Sequence, residues 1–142
     1  MNFILDPRLA ADTRPVARWP LCELRLMDDA RYPWLILIPR IANARELIDL
    51  DAAARAELRK ETDAAAYALR TAFAPDKLNI AALGNVVAQL HVHVIARFTG
   101  DDAWPKPVWG VHPPKPRDEA ARAAFTDKLT PHLPAFAFED TL

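Results

Sequence analysis

Along Gln89-Leu90-His91-Val92-His93-Val94, a glutamine and two histidines alternate with apolar residues. In an extended strand successive side chains point to opposite faces, so Leu90, Val92 and Val94 share one face and Gln89, His91 and His93 the other. Same-side neighbours lie about 6.5 to 7 Å apart, close enough for all three polar side chains to touch one bound group. The ordinary histidine pKa of about 6.5 leaves a neutral, nucleophilic imidazole near neutral pH, so one ring could attack while its neighbours donate. Two other readings also fit an isolated His-x-His: ordinary residues of a sheet edge or interface, and a pair of metal ligands. A metal needs more than two ligands, and the remaining histidines, His112 and His132, lie in Pro-flanked segments that nothing directs toward the strand.

The elements around this strand must hold it in place. Between Leu21 and Met27, Leu21, Glu23 and Arg25 alternate with Cys22, Leu24 and Leu26, the period of a half-buried strand. Asp28-Asp29-Ala30-Arg31-Tyr32-Pro33 turns the chain, and Trp34 to Ile38 reads as a second, antiparallel strand. From about Asp51 to Phe73 the apolar Ala54, Leu58, Ala65, Leu69 and Phe73 recur at helical spacing, with Glu61 and the other charges assigned to the outer faces. Asp49 or Asp51 caps this helix and Pro75 stops it. Lys77 to Arg97 reads as strand, turn at Gly84, strand, and Asp118 to Leu129 as a shorter helix carrying Ala121, Phe125 and Leu129. The Pro-bearing stretch from Leu5 to Pro20 is expected to be irregular or a short surface helix. The Pro-rich segment from about 104 to 117, with five prolines, must run extended or as turns.

Composition narrows the classes. The chain of 142 residues is one domain's length, with 51% apolar residues, 26% charged residues and a formal charge of −1. It is not basic enough to coat nucleic acid. One cysteine, Cys22, excludes a disulfide framework and suits a reducing, cytoplasmic setting. The start, Met1-Asn2-Phe3-Ile4-Leu5-Asp6, lacks the form of a secretory signal, and no apolar run approaches the roughly 20 residues of a membrane span. Three glycines at 84, 100 and 110 cannot build GxGxxG or a P-loop.

The run from Asn79 through Gly84 to Gln-Leu-His-Val-His-Val-Ile-Ala-Arg97 resembles the signature of the histidine triad (HIT) family, His-φ-His-φ-His-φ-φ with φ apolar. Gln89 departs from the first motif position. Upstream, the strand, acidic turn and apolar strand from Leu24 to Arg40 are also similar to that family, as is the placement of the long helix. The resemblance implies an α+β fold, an antiparallel sheet of about five strands packed on one long helix with a shorter C-terminal helix, pairing as a homodimer whose sheets continue across the interface. It implies action at the α-phosphate of a nucleoside phosphate derivative, of the dinucleoside polyphosphate or phosphoramidate class, without cofactor or metal. In that scheme His91 attacks phosphorus to form a nucleotidyl-histidine, and His93 donates to a phosphate oxygen. The backbone carbonyl of Gln89 orients the attacking ring, and Gly84 lets backbone amides approach the phosphate. Asp28 binds the ribose hydroxyls, with Asp29 in reserve. An amide at 89 can hydrogen-bond but cannot titrate, so the site is expected to be active but modified, with nucleotide binding without turnover and a metal-dependent His-x-His enzyme as alternatives.

Five further residues are candidates on position. Arg97 at the strand end could neutralise a distal phosphate, and Asn79 and Asn85 flank the turn near phosphate or sugar. Trp104 and Trp109 are placed to cover a base or a partner subunit, or simply to pack on the domain.

Overall fold

The structure, a computed structural model, describes residues 2–135. Asp6 begins the ordered secondary structure: its side chain accepts from the Arg8 amide at 2.8 Å, and Pro7 takes the first position of helix α1 (Pro7–Asp12). Strands β1 (Thr13–Arg18), β2 (Cys22–Met27) and β3 (Trp34–Pro39) follow, then a 3-10 turn at Leu47–Asp49 and the long helix α2 (Ala52–Phe73). Strands β4 (Lys77–Ala81) and β5 (Val92–Arg97) and helix α3 (Glu119–Leu129) complete the domain. The strands form one antiparallel sheet in the order β1-β2-β3-β5-β4, the α+β architecture expected.

The stretch from Leu5 to Pro20 differs from its sequence-based reading, because it holds a strand as well as a short helix. Pro15 is tolerated there because β1 is an outer strand with a single neighbour, and the pairing with β2 slips between Pro15 and Ala17. The strand-turn-strand at 77–97 also differs in detail. Ten residues, 82–91, separate β4 from β5, so His91 stands just before the strand and only His93 lies within it.

Side-chain alternation divides the interior into two layers. Leu24, Leu26, Leu35, Leu37, Val92 and Val94 face α2 and pack with Leu58, Ala65 and Leu69. On the other face Trp34, Ile36, Ile38 and Ile95 pack beneath Leu9, Ala103 and Val108, with Phe3, Leu5, Trp109 and Val111 at the margin. The histidine face of the sheet is therefore roofed by the N-terminal segment and the Pro-rich segment. Asp51 caps α2 by accepting from the Ala54 amide at 2.8 Å, and the helix ends at Ala74, whose φ of 48° is left-handed, one residue before Pro75. Phe73 stacks on Phe125 of α3 with centroids 5.0 Å apart. Among the described residues no helix is long and apolar enough to cross a membrane.

Glu61 corrects its assignment to the outer face of α2. It is fully buried, and its carboxylate accepts from the backbone amides of Leu21 at 2.9 Å and Cys22 at 2.8 Å, where β2 begins. Burial pushes its pKa from 4.5 up to about 7, against the pull of those two amides. A folded value above the unfolded one means that the native state binds more protons between those limits, so this group's contribution to stability falls as pH rises from about 4.5 to about 7 and is flat above. Glu61→Gln is expected to abolish that contribution. The difference in denaturation midpoint between wild type and variant should then change between pH 5 and 7 and stay constant from pH 7.5 to 9; a constant difference throughout would contradict it.

Candidate active site

His91 lies at the foot of β5 and His93 one turn of the pleat beyond, with ring centroids 4.9 Å apart in an edge-to-face arrangement. Both are nearly buried, 7% and 4% exposed, which removes competing water from two groups proposed to meet a substrate. The His91 Nδ1 lies 2.6 Å from the Gln89 carbonyl oxygen. A carbonyl only accepts, so Nδ1 carries a proton, and in the neutral form of the ring the lone pair is on Nε2. The backbone supplies this contact whatever side chain stands at position 89.

Around His93 the sheet places two indoles. Trp34 of β3 donates from Nε1 to the His93 Nδ1 at 3.0 Å, and Trp109 packs edge-on against both His93, at 5.0 Å, and Trp34, at 6.0 Å. Burial, with His91 beside it, pushes the His93 pKa from 6.5 down to about 3, so the ring is neutral across the physiological range. Sequence reasoning missed Trp34, whose neighbour in space is 59 residues away.

Two cavities border this cluster. The one at His91, about 240 Å³, is walled by Arg45, Leu47, Leu83, Gly84 and Gln89 among others. Gly84, at φ 77°, adopts a backbone conformation that favours glycine, and it shares this wall with the nucleophile candidate. Arg45 brings a positive charge to the same wall, a contribution that no spacing in the sequence announced. Asn85 is exposed on the connecting loop. The second cavity, about 520 Å³, is lined by Trp34, Trp109, Arg8, Arg14, Asp28 and Asp29. Asp28 accepts from the Arg117 amide at 2.9 Å and pairs with Arg14 at 3.4 Å. Asp29 is buried and accepts from the Arg31 amide at 3.1 Å.

Arg97 and Asn79 are not brought to the histidines. Six residues along an extended strand carry Arg97 about 20 Å from His91. There its guanidinium donates to both Asp101 oxygens at 2.7 and 2.9 Å, to the Asn79 Oδ1 at 2.8 Å and to the Lys106 carbonyl at 2.8 Å, and the residue is 1% exposed. Its cation also lies 5.7 Å from the Trp104 ring centroid. The expected contact with a distal phosphate gives way to a buried clamp on the Pro-rich segment, since the donors are spent inside the protein. Among the described residues, no three histidine, cysteine, aspartate or glutamate side chains converge to hold a metal ion.

The Gln89 side chain turns away to the N-terminal segment. Its Oε1 accepts from the Asp6 amide at 2.9 Å and its Nε2 donates to the Ile4 carbonyl at 2.8 Å, the paired pattern of a strand edge. Gln89→Ala should therefore release residues 4–6, speed hydrogen exchange at the Asp6 amide and cost about 1 to 3 kcal/mol for two lost hydrogen bonds. Because the carbonyl that orients His91 survives, turnover should fall by less than about tenfold; a loss beyond a hundredfold with the fold intact would assign the side chain a part in the chemistry.

The family model described as HIT domain matches residues 8–100. Among solved structures, the chain is similar to a histidine triad protein from Sinorhizobium meliloti, at 45% identity over 92% of this chain and 97% of that one, with a TM-score of 0.90. It is similar also to one from Bradyrhizobium japonicum, at 46% identity over 94% and 99% and a TM-score of 0.91. A third, from Marinobacter aquaeolei, shares 44% identity over 96% and 100% with a TM-score of 0.93. No curated protein sequence matches.

Proposed function

Since the chain belongs to the HIT domain family, we propose that it cleaves or transfers at the α-phosphate of a nucleoside phosphate derivative, with His91 as nucleophile. The observation that carries this reading is the 2.6 Å contact between the His91 Nδ1 and the Gln89 carbonyl, which leaves the Nε2 lone pair of a cavity-lining imidazole for attack. The lone pair forms an N–P bond as the bond from phosphorus to the leaving group breaks. The electron pair leaves with that group, which takes a proton from solvent. Water then attacks the same phosphorus and loses a proton, the N–P electron pair returns to Nε2, and nucleoside monophosphate is released. His93 donates to a non-bridging oxygen as charge shifts onto it, while Gly84 and Arg45 line the phosphate's approach.

Asp28 is the proposed partner of the ribose hydroxyls, with Asp29 second. A carboxylate offers about four acceptor sites, so Asp28's contacts with Arg117 and Arg14 leave room for a diol. The cavity it lines is bounded by Trp34 and Trp109, flat indoles of the kind on which a base can rest.

The proposed homodimer forms along β4, an outer strand with one edge unpaired among the described residues. Near that edge Leu47, Ile80 and Leu83 expose apolar surface, and an apolar cavity of about 370 Å³ runs between β4 and α2. Leu47 and Leu83 also wall the His91 cavity, so a partner there would help close the site.

The test is a panel of dinucleoside polyphosphates and nucleoside phosphoramidates, each with its 2′-deoxy counterpart, assayed for release of nucleoside monophosphate. Release, weaker for the deoxy compounds, is the expected result. The departure from the family motif at Gln89 favours one competing reading, a nucleotide-binding module. It would show as nucleotide-dependent thermal stabilisation without product across the panel.

A further inference from the structure

We propose that Trp34 is a positioning residue: by donating to Nδ1, its indole N–H confines His93 to the tautomer that carries the proton on Nε2. The inference rests on the reaction proposed above only for its consequence in catalysis; the tautomer itself follows from donor and acceptor chemistry. An indole N–H donates and cannot accept, so the nitrogen 3.0 Å away must hold a lone pair. A neutral imidazole has one ring proton, which must then sit on Nε2.

The same contact opposes the doubly protonated ring, because a proton on Nδ1 would set two N–H groups head to head inside a nearly dry pocket. Among the described residues no carboxylate acts on His93 to reward such a charge. Its ring neighbours are Trp34, Trp109 and His91, and His91 is the one titratable group that acts on it electrostatically among the described residues.

Trp34 and the Gln89 carbonyl thereby impose opposite tautomers on adjacent rings. The carbonyl accepts from the His91 Nδ1–H and leaves a lone pair on Nε2, while the indole N–H donates to the His93 Nδ1 and leaves N–H on Nε2. In their neutral forms one ring presents a lone pair and the other an N–H, with centroids 4.9 Å apart. A phosphoryl group needs both functions: a nucleophile at phosphorus and a donor for oxygen. Without Trp34, His93 can protonate at Nδ1 or turn its lone pair toward the phosphate, where it would repel oxygen.

The experiment is side-chain ¹⁵N NMR of the histidines, followed through a pH titration, in wild type, Trp34→Phe and Trp109→Phe. Phenylalanine keeps much of the aromatic packing and removes the donor. In wild type the His93 Nδ1 should show the signature of an unprotonated nitrogen accepting a hydrogen bond, and Nε2 that of an N–H, from pH 8 down to pH 5. In Trp34→Phe the hydrogen-bond signature should vanish and the midpoint of His93 protonation should move upward. In Trp109→Phe, which alters packing but no bond to His93, the Nδ1 signature should persist. The kcat of Trp34→Phe should fall about three- to tenfold, and the acid limb of its pH profile should rise with the measured midpoint. A protonated Nδ1 on His93 in wild type overturns the proposal even if the variant fails to fold. An unchanged His93 spectrum and midpoint in folded Trp34→Phe overturns it too. If wild type turns over no nucleotide, the NMR result still decides the role of Trp34, so the two failures are distinct.

Discussion

Substituting His91 by alanine is expected to lower nucleoside monophosphate release by at least about 10³-fold, because removing the nucleophile of a covalent mechanism removes the step itself. The fold should survive. His91 stands outside the regular strand, the one side-chain hydrogen bond it makes among the described residues goes to the carbonyl of Gln89, and Gln89 borders a cavity that water can enter once the ring is gone. A stability change of no more than about 2 kcal/mol is expected, the ordinary range for a substitution that strands no buried charge. Steady-state assays alongside denaturant unfolding check both halves. Near-native rates in a folded His91→Ala protein would remove the residue from the mechanism.

The second large effect concerns stability. Arg97→Ala leaves the Asp101 carboxylate in a buried site without its cation, and breaking a buried pair by removing one partner costs about 3 to 5 kcal/mol. Burial works to raise the Asp101 pKa. The Arg97 guanidinium and the amides of Phe98 and Trp104 outweigh it and hold the carboxyl down at about 2. A depressed folded value means that this pair's stabilisation is present above the ordinary carboxylate pKa of 3.8 and is lost as pH falls through about 2. Asp101 also accepts from the backbone amides of Phe98, Ala103 and Trp104, so the damage should spread into the segment that roofs the histidine face. Urea denaturation at neutral pH measures the loss, and hydrogen exchange at residues 98–111 should rise with it. If Arg97→Ala is as stable as wild type and loses only affinity for long polyphosphates, Arg97 belongs to the substrate rather than to the fold.

These two predictions mark how far the sequence could be read. His91 and His93 were legible because their arrangement is local: alternation along one stretch of chain is enough to place both rings on one side. Helix α2 was legible for the same reason, through its 3.6-residue period, the Asp51 cap and Pro75. What stayed hidden depends on partners far along the chain. Glu61 reads as a solvent-facing charge on its helix, and only the free amides at the start of β2, some 40 residues earlier, make its burial tolerable. Arg97 reads as a strand-end cation until Asp101 and Asn79 are seen to consume its donors. Gln89 reads as an altered catalytic side chain, yet its amide is spent on residues 4 and 6 across the fold. Strand β1 was obscured by Pro15, a residue that argues against a central strand and is permitted on an outer one. Trp34 reads only as the first residue of an apolar strand, and its N–H meets His93 because β3 lies beside β5.

The central claim, a covalent bond between phosphorus and the His91 Nε2, is tested most directly by mass spectrometry of protein mixed with a turned-over nucleotide from the panel and quenched at alkaline pH, where a phosphoramidate persists. The account predicts a mass increase of one nucleoside monophosphate on the peptide carrying His91, lost on acid treatment and missing from His91→Ala. Turnover without any such adduct under rapid quench, or an adduct on another residue that persists in His91→Ala, would contradict it.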